Sequence, residues 1–241
     1  VNLLDLLHRR EPQAWPAAWG LKELIWGSVL GLALFLGSVV LAAVLSRFLQ
    51  PLGSGAASVR SAPLALTELT LLMPVWLFAA RRPAVGWCGL GLRGFRALPG
   101  CLGAAALLYV SLSVNLIWGL VLHFLGWAGQ PDVLPLFGQG PAGLALAFLA
   151  TGIVAPFVEE LFFRGFAYPP LRRRFGPWWG MAISAGLFTA LHFTPTVFPP
   201  IFLLGVFFCL LYEYTGSLWP GMILHASINT LSVLAAYLLP R

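Results

Sequence analysis

Hydrophobic positions in this chain come in long unbroken runs, and the polar positions gather mostly between them. A run of about 20 apolar residues, rising about 1.5 Å per residue as a helix, crosses a bilayer core about 30 Å thick. Runs near 24–46, 63–80, 98–126, 142–164, 178–194, 199–214 and 219–239 predict seven such helices. The short ones, 178–194 and 199–214, are joined by Thr194-Pro-Thr-Val-Phe-Pro-Pro200, whose prolines break the helical hydrogen-bond ladder. The fold class expected is all-α, a polytopic transmembrane helix bundle of about seven spans. Residues 1–22 break the pattern by mixing Arg9, Arg10 and Lys22 with Trp15 and Trp19, which predicts an interfacial amphipathic segment on the membrane surface. His8 there reads as a residue at headgroup level. No cleavable signal peptide is expected, because the first long apolar run begins only after Lys22 and Glu23. The expected organisation is that segment, N-terminal transmembrane helices over 23–140, and a C-terminal transmembrane core over 141–241.

Composition agrees with the pattern. Of 241 residues 59% are hydrophobic and 9% charged, with mean hydropathy +0.88, whereas soluble domains carry about 25% charged residues. A formal charge of +6 and a pI near 9.8 would suggest nucleic acid in a soluble protein, but these basic residues lie between apolar spans and read as topology signals; no nucleic acid partner is expected. With the N-terminus cytoplasmic, ten lie inside: Arg9, Arg10, Lys22, Arg81, Arg82, Arg93, Arg96, Arg172, Arg173 and Arg174. Arg47, Arg60 and Arg241 lie outside, and Arg164 is intramembrane. That asymmetry satisfies the positive-inside rule for seven spans in the cell membrane, and it leaves the basic-free loop 127–141, with Asp132, outside. Cys88, Cys101 and Cys209 are too few and too scattered for a disulfide framework or a zinc ribbon.

One stretch resists a purely membrane reading. Ala155-Pro-Phe-Val-Glu159-Glu160-Leu-Phe-Phe-Arg164-Gly165 sets three ionisable groups inside an apolar run, and an ionised side chain at the bilayer centre costs about 2.5–3.5 kcal/mol on insertion scales. Glu160 and Arg164, four apart, share a helix face in the favourable acid-before-base order. Glu159 is turned by about 100° from Glu160 and needs another partner or a wet cavity. It is the better candidate for chemistry, unless all three form a buried ion cluster that locks helices together. Glu68, another carboxylate in a span, reads as a helix-packing or pore-edge residue.

Two further polar clusters follow, Phe188-Thr-Ala-Leu-His192 and His225-Ala-Ser-Ile-Asn229. A lone histidine in an apolar helix is commonly a packing residue, but His225 and Asn229 share a face, and an intramembrane Asn wants a hydrogen-bond partner. If the chain folds back near Gly176, Glu159 lies 17 residues before the turn and His192 lies 16 after it, which sets the two level on antiparallel helices. A carboxylate beside an imidazole can take a proton from water, and a second histidine with an amide can stabilise an oxyanion. Two carboxylates and two histidines are equally adequate zinc ligands with an open position for water, although His-Glu-x-x-His is absent.

Glu159-Glu160-x-x-x-Arg164, Phe188-x-x-x-His192 and His225-x-x-x-Asn229, in this order over three apolar segments, resemble the CPBP family of intramembrane proteases, the CAAX-processing and bacteriocin-processing enzymes also called the Abi family. The resemblance covers roughly residues 140–239. It implies an integral-membrane endopeptidase of glutamate type, with Glu159 as the water-activating base, His192 assisting, His225 and Asn229 at the oxyanion, and Glu160 and Arg164 in support. No cofactor is expected, and zinc is the alternative. The implied partners are the lipid bilayer and a protein or peptide substrate in or at the membrane, with or without a lipid: a CAAX tail, a leader or a sorting tail. Two other classes remain open. A non-proteolytic scaffold or immunity partner would keep the polar cluster for structure alone, and a proton- or cation-coupled transporter would use it as a relay, though no inverted repeat is evident.

Overall fold

The structure, a computed structural model, describes residues 18–48, 66–129 and 137–238. Residues 1–17 of the surface segment expected over 1–22, the connections that carry Arg60 and Asp132, and Arg241 lie outside the described residues, while Trp19 is buried in the bundle and Lys22 already belongs to the first helix. What is described is all-α, with no strand among those residues. We number the helices α1 (Leu21–Phe48), α2 (Thr67–Ala80), α3 (Ala97–Leu125), α4 (140–175), α5 (177–190), α6 (Pro195–Thr215) and α7 (Trp219–Leu238). Each of the seven apolar runs contains one of them. Five helical stretches among the described residues are long and apolar enough to cross a membrane, with α4 and α5 counted together as Gly140–Ala190. Two boundaries differ from expectation. α2 is described only from Thr67, near the N-terminal edge of what is seen, and is too short there to span alone. α4 runs on past Arg164 through Tyr168-Pro-Pro170 to the arginines, because prolines in a first helical turn cost no hydrogen bond that the turn would otherwise make.

α4 and α5 form an antiparallel hairpin whose fold point is Gly176. Its backbone (φ 82°, ψ 170°) is open to glycine alone at low cost, and Pro177 then restarts the helix. Residues equally far from this turn lie side by side: a side chain at Gly180 would meet Arg172, and the Phe163 and Phe188 rings touch edge to face at 5.2 Å. Ser184 Oγ donates to the Phe163 carbonyl at 3.2 Å. The hairpin geometry expected from the sequence is therefore present from the turn out to Phe163 and Phe188.

Around the hairpin, α6 packs on α5, and α7 packs on α3, α4 and α6. The shared core holds Val158, Leu161, Phe163, Phe188, Phe208 and Leu224. α1 and α3 join this core through Leu24 and Ala104 and turn large apolar side chains outward, among them Leu36, Val40, Leu116 and Phe124. Lipid tails solvate such faces as well as protein does, so they need no cover in a membrane.

The arginine-bearing end of the bundle is cross-tied. Arg172 pairs with Glu213 in a bidentate arrangement and Tyr168 donates to the same carboxylate at 2.6 Å, which ties α4 to α6. Trp19, 2% exposed, donates its indole N–H to the Phe166 carbonyl at 2.8 Å and stacks on that ring. Arg173 donates to the Trp19 carbonyl, and Arg82 pairs with Glu23 at 3.1 Å. Trp19→Phe keeps the stacking and loses the bond to a buried carbonyl, an expected cost of about 1–3 kcal/mol. Thermal unfolding in detergent reads it as a drop of several degrees in the midpoint, and an unchanged midpoint would refute the tie.

Candidate active site

The site is built where α4, the start of α2, and α7 meet, and α4 itself is distorted there. Residues Phe148–Val154 and Leu161–Ala167 are π-helical, on either side of the α-helical turn Ala155–Glu160. Pro156 accounts for the first distortion, since its ring cannot donate to the preceding turn and pushes it open. In π register the Thr151 carbonyl would pair with the amide of residue 156, which proline lacks. Asn229 Nδ2 donates to that carbonyl instead, at 2.8 Å. A mid-membrane amide thus finds its expected partner, and it fixes α7 against the widened turn of α4.

Glu160 and Arg164 behave as their spacing predicts. The side chains are 1% and 0% exposed, and Arg164 Nη1 lies 2.9 Å from Glu160 Oε1. The guanidinium also donates from Nη2 to the Gly205 carbonyl at 3.0 Å, and it sits over the rings of Phe188 (4.5 Å) and Phe208 (4.7 Å). A side chain at Gly205 would come within 3.2 Å of Arg164 Nη2 and 3.0 Å of Ala185 Cβ, so only glycine lets α6 approach this closely. A paired charge caged by aromatic rings is a fixed structural element.

Glu159 points elsewhere. Its Oε2 is shut off from solvent without a hydrogen-bond partner, and His225 Nε2 stands 3.7 Å away. His225 is itself 3% exposed and stacked on Phe208 at 4.7 Å between centroids. Its Nδ1 comes within 3.4 Å of Glu160 Oε1 in an alignment that makes no hydrogen bond. The imidazole therefore spans the two adjacent carboxylates, one neutralised by arginine and one not.

His192 falls just beyond α5, which stops at Ala190, and not within a helix as the run 178–194 predicts. Its amide closes a turn on the Thr189 carbonyl and its Nδ1 lies 3.0 Å from the Phe188 carbonyl. Phe188 touches both histidines edge to face, His192 at 4.9 Å and His225 at 5.8 Å between centroids. The two imidazoles are thus held by one ring. Beside His192, Gly186, Thr189, Ala190, Phe198, Pro199 and Phe202 line an open apolar groove of about 380 Å³. Trp118 pins its rim by donating to the Thr196 carbonyl at 2.6 Å.

Glu68 lies at a contact between helices, in keeping with the packing role expected of it. The first turn of α2, Thr67–Leu71, packs directly on Ala155–Glu160, and Glu68 Oε2, like Glu159 Oε2, is buried without a partner. Its depth was visible in the sequence: Glu68 stands 13 residues before Arg81, as Glu159 stands 13 before Arg172. Among the described residues no group of three or more His, Cys, Asp and Glu side chains is placed to hold a metal ion. Cys88, Cys101 and Cys209 are free, as their scatter predicts.

A carboxylate–histidine cluster thus lies inside a membrane-integral bundle of apolar helices. Residues 141–231 match the family model described as type II CAAX prenyl endopeptidase Rce1-like. That segment is similar to the CPBP/CAAX proteases, the resemblance that the three motifs carry. The same comparisons found no matching curated protein and no matching solved structure.

Proposed function

We propose that this protein is an intramembrane endopeptidase of glutamate type in which Glu159 is the base. One observation carries the reading: of two adjacent acids, the fully buried Glu160 is neutralised by Arg164, and the partly buried Glu159 keeps an enclosed, unpartnered oxygen 3.7 Å from His225 Nε2. Glu159 takes a proton from water as the water oxygen attacks the substrate carbonyl carbon. His192 assists from the far side of Phe188. The carbonyl oxygen gains the charge and accepts from His225 and from the amide proton of Asn229 that Thr151 does not use. Collapse breaks the C–N bond, and the proton held by Glu159 passes to the leaving amine. Glu160 and Arg164 hold α4 in place and set the local charge.

The substrate we propose is the tail of a membrane-associated protein of the CAAX type. The apolar groove beside His192 supports this, since it suits a hydrocarbon chain on a substrate residue next to the bond that is cut. The test is purified protein in lipid nanodiscs with a farnesylated CAAX peptide, its unmodified counterpart, and a leader-type peptide, with new peptide ends read by mass spectrometry. Cleavage of the farnesylated peptide alone or preferentially is expected. Failure to cut any of the three, by protein that is folded and monodisperse, would remove the reading.

The mechanism as drawn uses no metal. A strong zinc chelator, followed by dialysis, is expected to leave the cleavage rate within about twofold of the untreated enzyme, against the 10²- to 10⁴-fold that loss of a water-activating group costs. Loss of activity that added zinc restores would replace this mechanism with a metal-dependent one.

A further inference from the structure

Glu68 belongs to the reacting centre. The first turn of α2, which carries Glu68, is packed on the turn Ala155–Glu160, which carries Glu159. Each presents an oxygen that is closed to solvent and has no hydrogen-bond partner. Buried acceptors are almost always satisfied, and two carboxylates in one low-dielectric site cannot both stay ionised without a proton or a cation between them. The charged groups that face Glu159 are few. Glu160 and Arg164 come from its own helix and neutralise each other. His225 comes from α7, buried with its Nδ1 unpartnered, and Glu68 comes from α2. Among the described residues no lysine or arginine pairs with Glu68 or Glu159.

We propose that Glu68 and Glu159 hold one proton between them, directly or across one water, so that Glu68 is a positioning residue for the base. This rests on the protease reading for its catalytic meaning. With substrate bound, the proton resides on Glu68, which leaves Glu159 ionised to accept a proton from the attacking water. The Glu159 proton then goes to the leaving amine, and the shared proton is never consumed. Glu68 thereby keeps the pair at a single negative charge, the charge state in which His225 can stand beside it without a further counter-ion.

The experiment uses the full chain in nanodiscs and needs no substrate for its first arm. Infrared spectra at neutral pH are expected to show the C=O stretch of a protonated carboxyl group, shifted by deuteration. The band should be lost or displaced in both Glu68→Gln and Glu159→Gln, because the remaining carboxyl group no longer shares a proton with a second carboxylate. No such band in the wild type, or a band unchanged in Glu68→Gln, overturns the proposal. If Glu68→Gln does not fold, Glu68→Asp keeps the acid and shortens its reach. A displaced band then supports the shared proton, and an unmoved one overturns it.

The second arm follows kcat/KM against pH. Removing the neighbouring acid makes Glu159 easier to ionise, so the acid limb of Glu68→Gln should move down by at least about half a pH unit, with KM within about twofold of wild type. Superimposable limbs overturn the proposal while the protease reading stands. A protein that cuts nothing yet shows the band and its loss or displacement keeps the shared proton and removes the protease.

Discussion

Glu159→Gln is expected to abolish peptide cleavage, by at least about 10²- to 10⁴-fold in kcat, the range that positioned general bases contribute. The thermal midpoint and elution profile should match those of the wild type, because glutamine keeps the shape and the Glu159 oxygen at issue makes no hydrogen bond to lose. The contrast with its neighbour is what makes the result informative. Glu160 is already committed to Arg164 at 2.9 Å, so its loss should show mainly in folding. If Glu159→Gln cuts a defined peptide at the wild-type rate, the base is another group and the mechanism above is wrong.

Arg164→Ala should instead cost the fold, by about 3–5 kcal/mol, the range seen when one member of a buried ion pair is removed. The guanidinium is fully enclosed and answers for three things at once: the Glu160 carboxylate, the Gly205 carbonyl and the faces of Phe188 and Phe208. The expected signs are low recovery from the membrane and a sharply lower thermal midpoint in detergent. A second variant separates the causes. If the cost is mainly the abandoned charge, Glu160→Gln combined with Arg164→Met should recover most of the stability. No recovery would assign it to the packing between α4, α5 and α6. Normal recovery and an unshifted midpoint in Arg164→Ala itself would show that the pair carries no structural burden.

Much of the site was readable from spacing. Four-residue intervals on a helix fixed Glu160 with Arg164, and turned Glu159 away from both. Counting outward from Gly176 predicted an antiparallel hairpin, and Phe163 and Phe188 touch across it. What spacing could not show is the state of α4. Only the bundle reveals that the helix widens into π turns on both sides of the acids, and that Asn229 is the group that answers the carbonyl left over at Thr151. The position of His192 past the end of α5 was likewise hidden, because hydropathy runs on through residues that the backbone has already turned.

By itself the sequence determined the class of protein, the number of apolar helices, the hairpin and the pairing of Glu160 with Arg164. All of these follow from run length and from intervals along one helix, which are local properties. Tertiary structure alone decided which helices meet. It brought Glu68 on α2 against Glu159 on α4, set His225 between two acids, and used Gly205 to bring α6 onto the arginine. Those contacts join residues dozens of positions apart, and they depend on how ridges of side chains settle against one another in the packed bundle, which periodicity within a helix does not encode.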